Sequence, residues 1–302
     1  MVGQLRLSDQ YNQIAKWCIA IVIVFLFLID LCLGAYHIPV WHILIMLLQG
    51  PHLHQSLAHQ VIWHLRMPHV VAVVLIGAAF ALAGAVMQAL FRNPLADPTL
   101  LGVSTGAQLM LLIAWLIWPV LQSWLPVTPL FAFIGGVGSM AVLYLLAHHV
   151  RYSGFGGLLL AGVALSAFFA AISTLLLLYL NNQQLKTALL WSFGGVIQTN
   201  WWVLLVGLCC ILFGGFLVVR QAKAFDVLSM GELDAQATGV NLVVLKRYAI
   251  LGIAVLVAPA VAIAGPIAFV GLIVPHIVRM FFGPSHQRLM FYSVGMGMTL
   301  ML

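Results

Sequence analysis

Apolar residues run nearly unbroken through eight stretches of this chain, separated by short clusters of polar, glycine and proline positions. The stretches lie near 17–35, 62–90, 99–118, 129–148, 156–180, 201–219, 247–264 and 266–282. Each is long enough, at about 1.5 Å rise per residue, to form a helix that crosses most of the roughly 30 Å hydrocarbon core of a bilayer. A ninth begins near 289. The apolar positions are continuous and do not alternate, which argues against a transmembrane β-barrel. The pattern predicts an all-α, polytopic helical membrane protein, a single integral domain over 1–302 whose longest polar connection is 220–246. The first stretch follows a polar amphipathic segment and has no small-residue cleavage site after it. It reads as a retained anchor and not as a signal peptide.

Composition agrees with that pattern. Hydrophobic residues make up 64% of the chain and charged residues 6%, with a mean hydropathy of +1.14. A water-soluble domain could not build a polar surface from so few charges. The basic residues divide unevenly between alternate loops. Arg6, Lys16, Arg92, Arg151, Arg220, Lys223, Lys246, Arg247, Arg279 and Arg288 fall on one side, and Arg66 and Lys186 on the other. By the positive-inside rule the richer side, with the N-terminus, is cytoplasmic. The net charge of +6 then follows from topology and calls for no nucleic-acid partner. Cys18, Cys32, Cys209 and Cys210 all lie in predicted spans without metal-ligand spacing, so they read as small apolar side chains.

What the spans lack bears on energetics. Asp30 is the one acid placed within a span, and the later spans carry no Asp, Glu, Lys or Arg in their interiors. Ion-coupled carriers keep such groups at membrane depth because those groups bind the coupling ion. No Gly-Lys dipeptide exists in the chain, so no Walker phosphate loop does either. A pump of this composition draws its energy from an ATPase on another polypeptide, and no residue here reads as catalytic.

Between the second and third stretches stands QALFRNPLADPTLLGVSTGA, Gln88 to Ala107. Pro94 and Pro98 cannot continue a helix, and Asp97 before Pro98 reads as an N-cap with proline at the first helical position. This segment predicts a tight helix-turn-helix connection at the membrane surface. Along the fifth stretch Gly162, Ser166, Ala170 and Thr174 recur every four residues. Such a stripe serves close helix packing or lines a weakly polar passage, and both readings stay open. Gly265-Pro266, Gly271 and Pro275 interrupt the last full stretch, and Pro259 predicts a kink in the seventh.

In the 220–246 loop, Ser229 and Glu232 have the spacing of a capping box, Leu228 and Leu233 that of a hydrophobic staple, and Gly239 that of a left-handed C-terminal residue. These signals predict a short surface helix over 229–239, with Gly231, Glu232 and Ala235 on it. It is either a plain surface element or a docking element for a cytoplasmic partner. Seven histidines, His37, His42, His52, His54, His59, His64 and His69, crowd the external loop and the start of the second span. Without Cys or carboxylate neighbours they read first as interfacial residues, with metal or haem contact as the alternative. No resident metal or other cofactor is expected on this chain.

Several segments resemble the membrane subunits of type II ABC importers for iron-siderophores, haem and cobalamin, the FecCD family. They are GAAFALAGAVMQALFRNPLADPTLLGVSTGA at 77–107, LLLAGVALS at 158–166, MGELDAQATGV at 230–240 and AGPIAFVGLIVPHIVR at 264–279. The resemblance extends in order over essentially the whole chain. It implies a fold of ten spans, paired with a second permease copy as a homodimer or pseudo-symmetric pair. It also implies two ABC ATPase subunits that bind ATP and Mg, a periplasmic or lipid-anchored binding protein, a metal-chelate substrate and a bacterial inner-membrane location. By the same resemblance Arg66 and His69 face the binding protein, with His69 where the family often has a second Arg. Asn93 and Leu95 border the cytoplasmic gate, and Ser229, Gly231, Glu232, Ala235 and Gly239 belong to the element that couples to the ATPase. Against the ten spans of the family, about nine are expected here, the ninth incomplete at Leu302 and the tenth absent. Two rival readings are a remnant without transport activity and an intramembrane haem or metal enzyme. The enzyme would need paired histidines or a Ser–His or Asp–Asp arrangement at membrane depth, and none is visible.

Overall fold

The computed structural model describes residues 2–34, 36–51, 56–119, 127–149, 155–196 and 199–302. Among the described residues all regular structure is helical. In chain order the helices are α1 (Val2–Cys32), α2 (Val40–Gln49), α3 (Leu57–Gln60), α4 (Met67–Phe91), α5 (Val103–Ile117), α6 (Val127–His149) and α7 (Phe155–Leu177). They continue with α8 (Asn182–Ser192), α9 (Trp201–Val219), α10 (Ala222–Leu228), α11 (Glu232–Ala237), α12 (Leu242–Ala264), α13 (Val270–Phe282) and α14 (His286–Met301). A π-helical turn, Val61–Arg66, joins α3 to α4, and a 3-10 turn, Pro98–Leu101, precedes α5. Six segments are long and apolar enough to cross a membrane: Gln13–Cys32, Leu57–Phe91, Val127–Leu146, Gly156–Leu177, Trp201–Val219 and Leu242–Ala264. The chain is a multi-pass membrane protein.

The helix α4 is the axis of the bundle. Every residue from Leu75 to Leu90 is buried, as expected of a helix that is apolar on all sides. It packs on α14, α12, α13 and α9. Two crossings are close enough to exclude any side chain. A Cβ on Gly77 would lie 2.2 Å from the carbonyl oxygen of Gly297, and one on Gly84 would lie 1.8 Å from that of Gly271. With lipid on the outside, helix association has little hydrophobic drive and rests on such close packing of small residues. Pro275 also removes the N–H that would otherwise bond the Gly271 carbonyl, so that oxygen is free to turn toward α4.

The outer faces are apolar as well. Trp17, Ile21 and Phe25 of α1, Leu160, Phe168 and Leu175 of α7, and Leu205, Leu212 and Phe216 of α9 are exposed. On a chain of this composition those faces meet hydrocarbon or another subunit.

Two connections between the expected spans contain helices, and one expected span is shorter than its apolar stretch. The loop between the first two spans contains the helix α2, which is ten residues long, too short for a span-length signal. The stretch 181–192, expected as a connection between spans, forms α8. Its N-terminus closes a capping box in which Asn181 Oδ1 accepts from Gln184 N at 2.9 Å and Gln184 Oε1 accepts from Asn181 N at 3.2 Å. Finally, the eighth stretch is not helical from 266. Gly265 at φ 70° and Phe269 at φ 70° turn the backbone away from a right-handed helix, and α13 begins at Val270 with 13 residues.

Candidate functional site

The segment after α4 is built from local bonds. Arg92 takes the left-handed conformation at φ 49°. Its N–H donates to Ala89 O at 3.3 Å, and Asn93 N donates to Gln88 O at 3.2 Å. This is the Schellman pattern, with arginine at the position glycine usually fills. Asn93 Oδ1 accepts from Leu95 N at 2.9 Å, an Asx turn, and leaves Leu95 64% exposed. The chain then turns inward. Asp97 is buried and caps the 3-10 turn, its Oδ1 accepting from Thr99 N at 2.8 Å and from Thr99 Oγ1 at 2.6 Å, with Pro98 at the first position. Inside α4, buried Gln88 donates from Nε2 to Leu272 O of α13 at 2.9 Å. The result is an exposed apolar tip, Leu95, on a rigidly bonded turn at the end of the most buried helix.

The predicted surface helix over 229–239 is shortened to α11, Glu232–Ala237, and its capping box does not form. Ser229 ends α10 in right-handed geometry, and its hydroxyl donates back to Asp226 O at 2.6 Å, so it is not free to cap α11. Gly231, at φ 146°, stands at the N-cap position of α11 instead. Leu228 is buried and Leu233 is 81% exposed, which rules out the staple. The end of the helix agrees with expectation. Gly239, at φ 87°, donates to Gln236 O at 2.9 Å, and Val240 N donates to Ala235 O at 2.9 Å, a second Schellman closure over buried Ala235.

Two contacts tie this loop to the bundle. Arg92 Nη2 lies 3.7 Å from Glu232 Oε1. Asp226 Oδ1 accepts from the backbone N–H of His286 at 2.7 Å and lies 2.7 Å from its Nδ1, which caps α14. His286 is buried, and Phe225 lies beside its ring. Burial pushes the imidazole below its ordinary value and outweighs the Asp226 hydrogen bond and charge that raise it, while Arg279 adds a smaller push downward. Sequence reasoning missed this pair because the partners stand far apart in the chain and neither lies in a recognisable motif.

The stripe on α7 starts as packing and ends at the surface. A Cβ on Gly162 would meet Leu100 O at 3.1 Å, and Ser166 Oγ donates to Gly162 O at 2.8 Å and to Leu100 O at 3.3 Å. Ala170 and Thr174 are exposed, and Thr174 Oγ1 donates to Ala170 O at 2.9 Å. Half of the stripe therefore seats α7 on the Pro98–Leu101 turn, and the other half faces out of the subunit.

At the opposite end of the bundle, Arg66 is turned inward. Its side chain is 9% exposed and donates to Leu31 O at 2.6 Å, to Cys32 O at 3.1 Å and to Tyr36 O. It satisfies the open carbonyls at the end of α1, which takes three of its five N–H donors. His69 is half-buried and lines a cleft of about 530 Å³ with Asp30, His64, Arg66, Thr199 and Asn200. His59, of the histidine-rich segment, is buried beside Trp63. His52 and His54 lie outside the described residues. Among the described residues no three His, Cys, Asp or Glu side chains are grouped to hold a metal ion.

Known proteins share this architecture. The sequence pattern of the FecCD transport family matches residues 22–302. The hemin transport system permease protein HmuU of Yersinia pestis is 37% identical over 236 residues, 76% of this chain and 70% of that protein. The vitamin B12 import system permease protein BtuC of Escherichia coli is 32% identical over 289 residues, 93% of this chain and 83% of that protein. A chain described as part of a metal-chelate type ABC transporter in an inward-facing conformation superposes with a TM-score of 0.79 at 27% identity, over 94% of this chain and 87% of its own. The match in sequence over nearly the whole length, and in fold over the same span, leaves one assignment: the chain belongs to the FecCD transport family.

Proposed function

We propose that this chain is the permease subunit of an ATP-driven importer in a bacterial inner membrane, passing a metal chelate by alternating access. Haem or a ferric siderophore is the favoured cargo, and cobalamin the next. The likeness to a hemin permease at 37% identity supports haem, and the likeness to vitamin B12 permeases keeps cobalamin in view. The N-terminus is cytoplasmic by the distribution of Lys and Arg. ATP is bound with Mg and hydrolysed by two partner subunits, since the chain has no phosphate loop. A second permease copy sits against the exposed part of α7, where Ala170 and Thr174 would line the passage and Gly162 and Ser166 hold the helix in place.

One observation carries the reading: the polar helix α11 lies outside the bundle and touches the terminal turn of its most buried helix through Glu232 and Arg92. A push on α11 from an ATPase would reach Arg92 directly, and Asn93 and Leu95 move with it on the same bonded turn. That is a rigid path from a docking element to an apolar gate tip. Gly231, Ala235 and Gly239 shape the element, and Ser229 ends the helix before it. At the other end, the binding protein would dock around His69 and the cleft, with Arg66 acting there by holding the end of α1.

The test is reconstitution of the chain with its ATPase in liposomes. ATP hydrolysis should rise several-fold when haem-loaded binding protein is added, with haem accumulating inside. Hydrolysis indifferent to loaded binding protein would overturn the importer reading. Stimulation by a ferric siderophore or cobalamin and not by haem would change the cargo alone.

A further inference from the structure

The cleft at the Arg66 end continues into a groove of different chemistry. Sharing Pro129 and Val203 with it, an apolar groove of about 240 Å³ runs between α6, α9 and α12, past Phe133 and Trp202 to Val206 and Cys210. The groove follows α9 from Trp202 to Cys210, about 12 Å at the helical rise. It is open on the outer face of the subunit, where Trp202 and Val206 are exposed.

The cleft offers charges of both signs. Asp30 of α1 contributes a carboxylate, half-buried. The donors are Arg66, His64, His69, Thr199 and Asn200. Arg66 uses three N–H groups on the carbonyls of Leu31, Cys32 and Tyr36, which leaves two of the five on a guanidinium. Thr199 Oγ1 is buried with no partner among the described residues.

A cleft lined by an acid and several donors, continuous with an apolar groove along α9, matches one class of molecule. A water-soluble solute would fill the cleft and leave the groove without contacts. A binding protein could cover the cleft but could not enter the hydrocarbon region. A lipid does both, and the acid beside the donors selects a headgroup that carries a cation together with a phosphate. We propose that cleft and groove form one site for an aminophospholipid such as phosphatidylethanolamine. Its ammonium sits on Asp30, its phosphate meets Arg66 and His69, and one acyl chain lies along the groove between α6 and α9. The bound lipid would fill the gap over Pro259 on α12 and hold the α9 entrance to the bundle. The site does not depend on which cargo the chain passes.

Native mass spectrometry of the chain purified with its ATPase, in micelles holding phosphatidylethanolamine and phosphatidylglycerol in equal amounts, tests this. One phosphatidylethanolamine should remain on each permease copy, retained several-fold over phosphatidylglycerol. Val206→Trp, which fills the groove, should remove it, whereas Leu212→Trp, on another exposed face of α9, should not. Asp30→Asn should erase the preference between the two lipids. Retention of phosphatidylglycerol at or above phosphatidylethanolamine in the unaltered chain would overturn the proposal. So would lipid retention unaffected by Val206→Trp, or cross-linking of Val206 to a second copy that excludes lipid. Should Val206→Trp fail to assemble, the preference of the unaltered chain and its loss in Asp30→Asn decide the matter.

Discussion

Arg92 and Glu232 meet at 3.7 Å, the first on the last turn of the buried axial helix and the second at the start of a helix outside the bundle. Both side chains are partly solvated, so the pair contributes only about 0.2–1 kcal/mol to stability. Its weight is positional. Arg92 is held in a left-handed conformation that costs a non-glycine residue about 1–2 kcal/mol, and that conformation brings its side chain to α11. Arg92→Glu should lower ATP-driven transport several-fold while leaving the melting temperature of the detergent-solubilised subunit nearly unchanged. Arg92→Glu with Glu232→Arg should recover part of the transport. A double swap no better than the single one would show that the pair does not carry the coupling.

The glycine crossings predict a large effect on stability. Gly84→Ala would place a methyl 1.8 Å from the Gly271 carbonyl oxygen, and Gly77→Ala one 2.2 Å from that of Gly297. Backbone cannot yield there without separating α4 from α13 or α14, so each change should destabilise by about 1–3 kcal/mol or more and lower the amount of protein in the membrane. Gly138→Ala on α6 is the control. Its added methyl meets nothing within 4 Å, and alanine should gain up to about 1 kcal/mol in helix propensity. Thermal unfolding followed by tryptophan fluorescence in detergent measures all three.

How much of the fold and of the site is legible in the sequence depends on how local the determining contacts are. The length and continuity of 62–90 mark α4 as a span, and the Asp97–Pro98 cap and the Gly239 closure are readable because each bonds within a few residues. The Ser229–Glu232 box fails for a reason that the same locality explains. The preceding segment 222–228 is itself helical and takes the Ser229 hydroxyl for its own carbonyl. The inward turn of Arg66 is hidden because no pattern in LRMPH tells of Leu31, Cys32 and Tyr36, which reach it only through the fold. The glycine crossings and the Asp226–His286 pair are likewise contacts between distant segments, visible only once α4, α13 and α14 are packed.

Arg66 offers a test that separates holding α1 from docking a partner. Arg66→Ala would leave the carbonyls of Leu31, Cys32 and Tyr36 without their donor. The loss of a charge-assisted donor to the buried Leu31 carbonyl and its two part-buried neighbours costs about 1–3 kcal/mol, so the melting temperature should fall. Arg66→Lys should restore part of it, because an ammonium reaches fewer of the three carbonyls at once. Affinity for the binding protein should drop much less in Arg66→Lys than in a charge change at the exposed rim. If Arg66→Ala leaves stability unchanged and removes binding-protein affinity, the side chain works outward and not on α1.

The Asp226–His286 contact makes the junction between the 220–246 loop and α14 sensitive to pH. Burial lowers the His286 pKa in the folded protein, while the unfolded chain titrates near 6.5. Above about 6.5 the imidazole is neutral in both states and its contribution is fully present. As pH falls below that value the unfolded chain takes up the proton first. Stability then declines until the lower folded pKa is reached, where the loss levels off. The melting temperature should therefore fall between about pH 7 and pH 5 by more than in His286→Gln, which keeps the backbone bond to Asp226 and cannot titrate there. Limited proteolysis across 220–246 should quicken over the same range in the unaltered protein. A His286→Gln variant whose melting temperature tracks the same pH curve would show that another group sets the dependence.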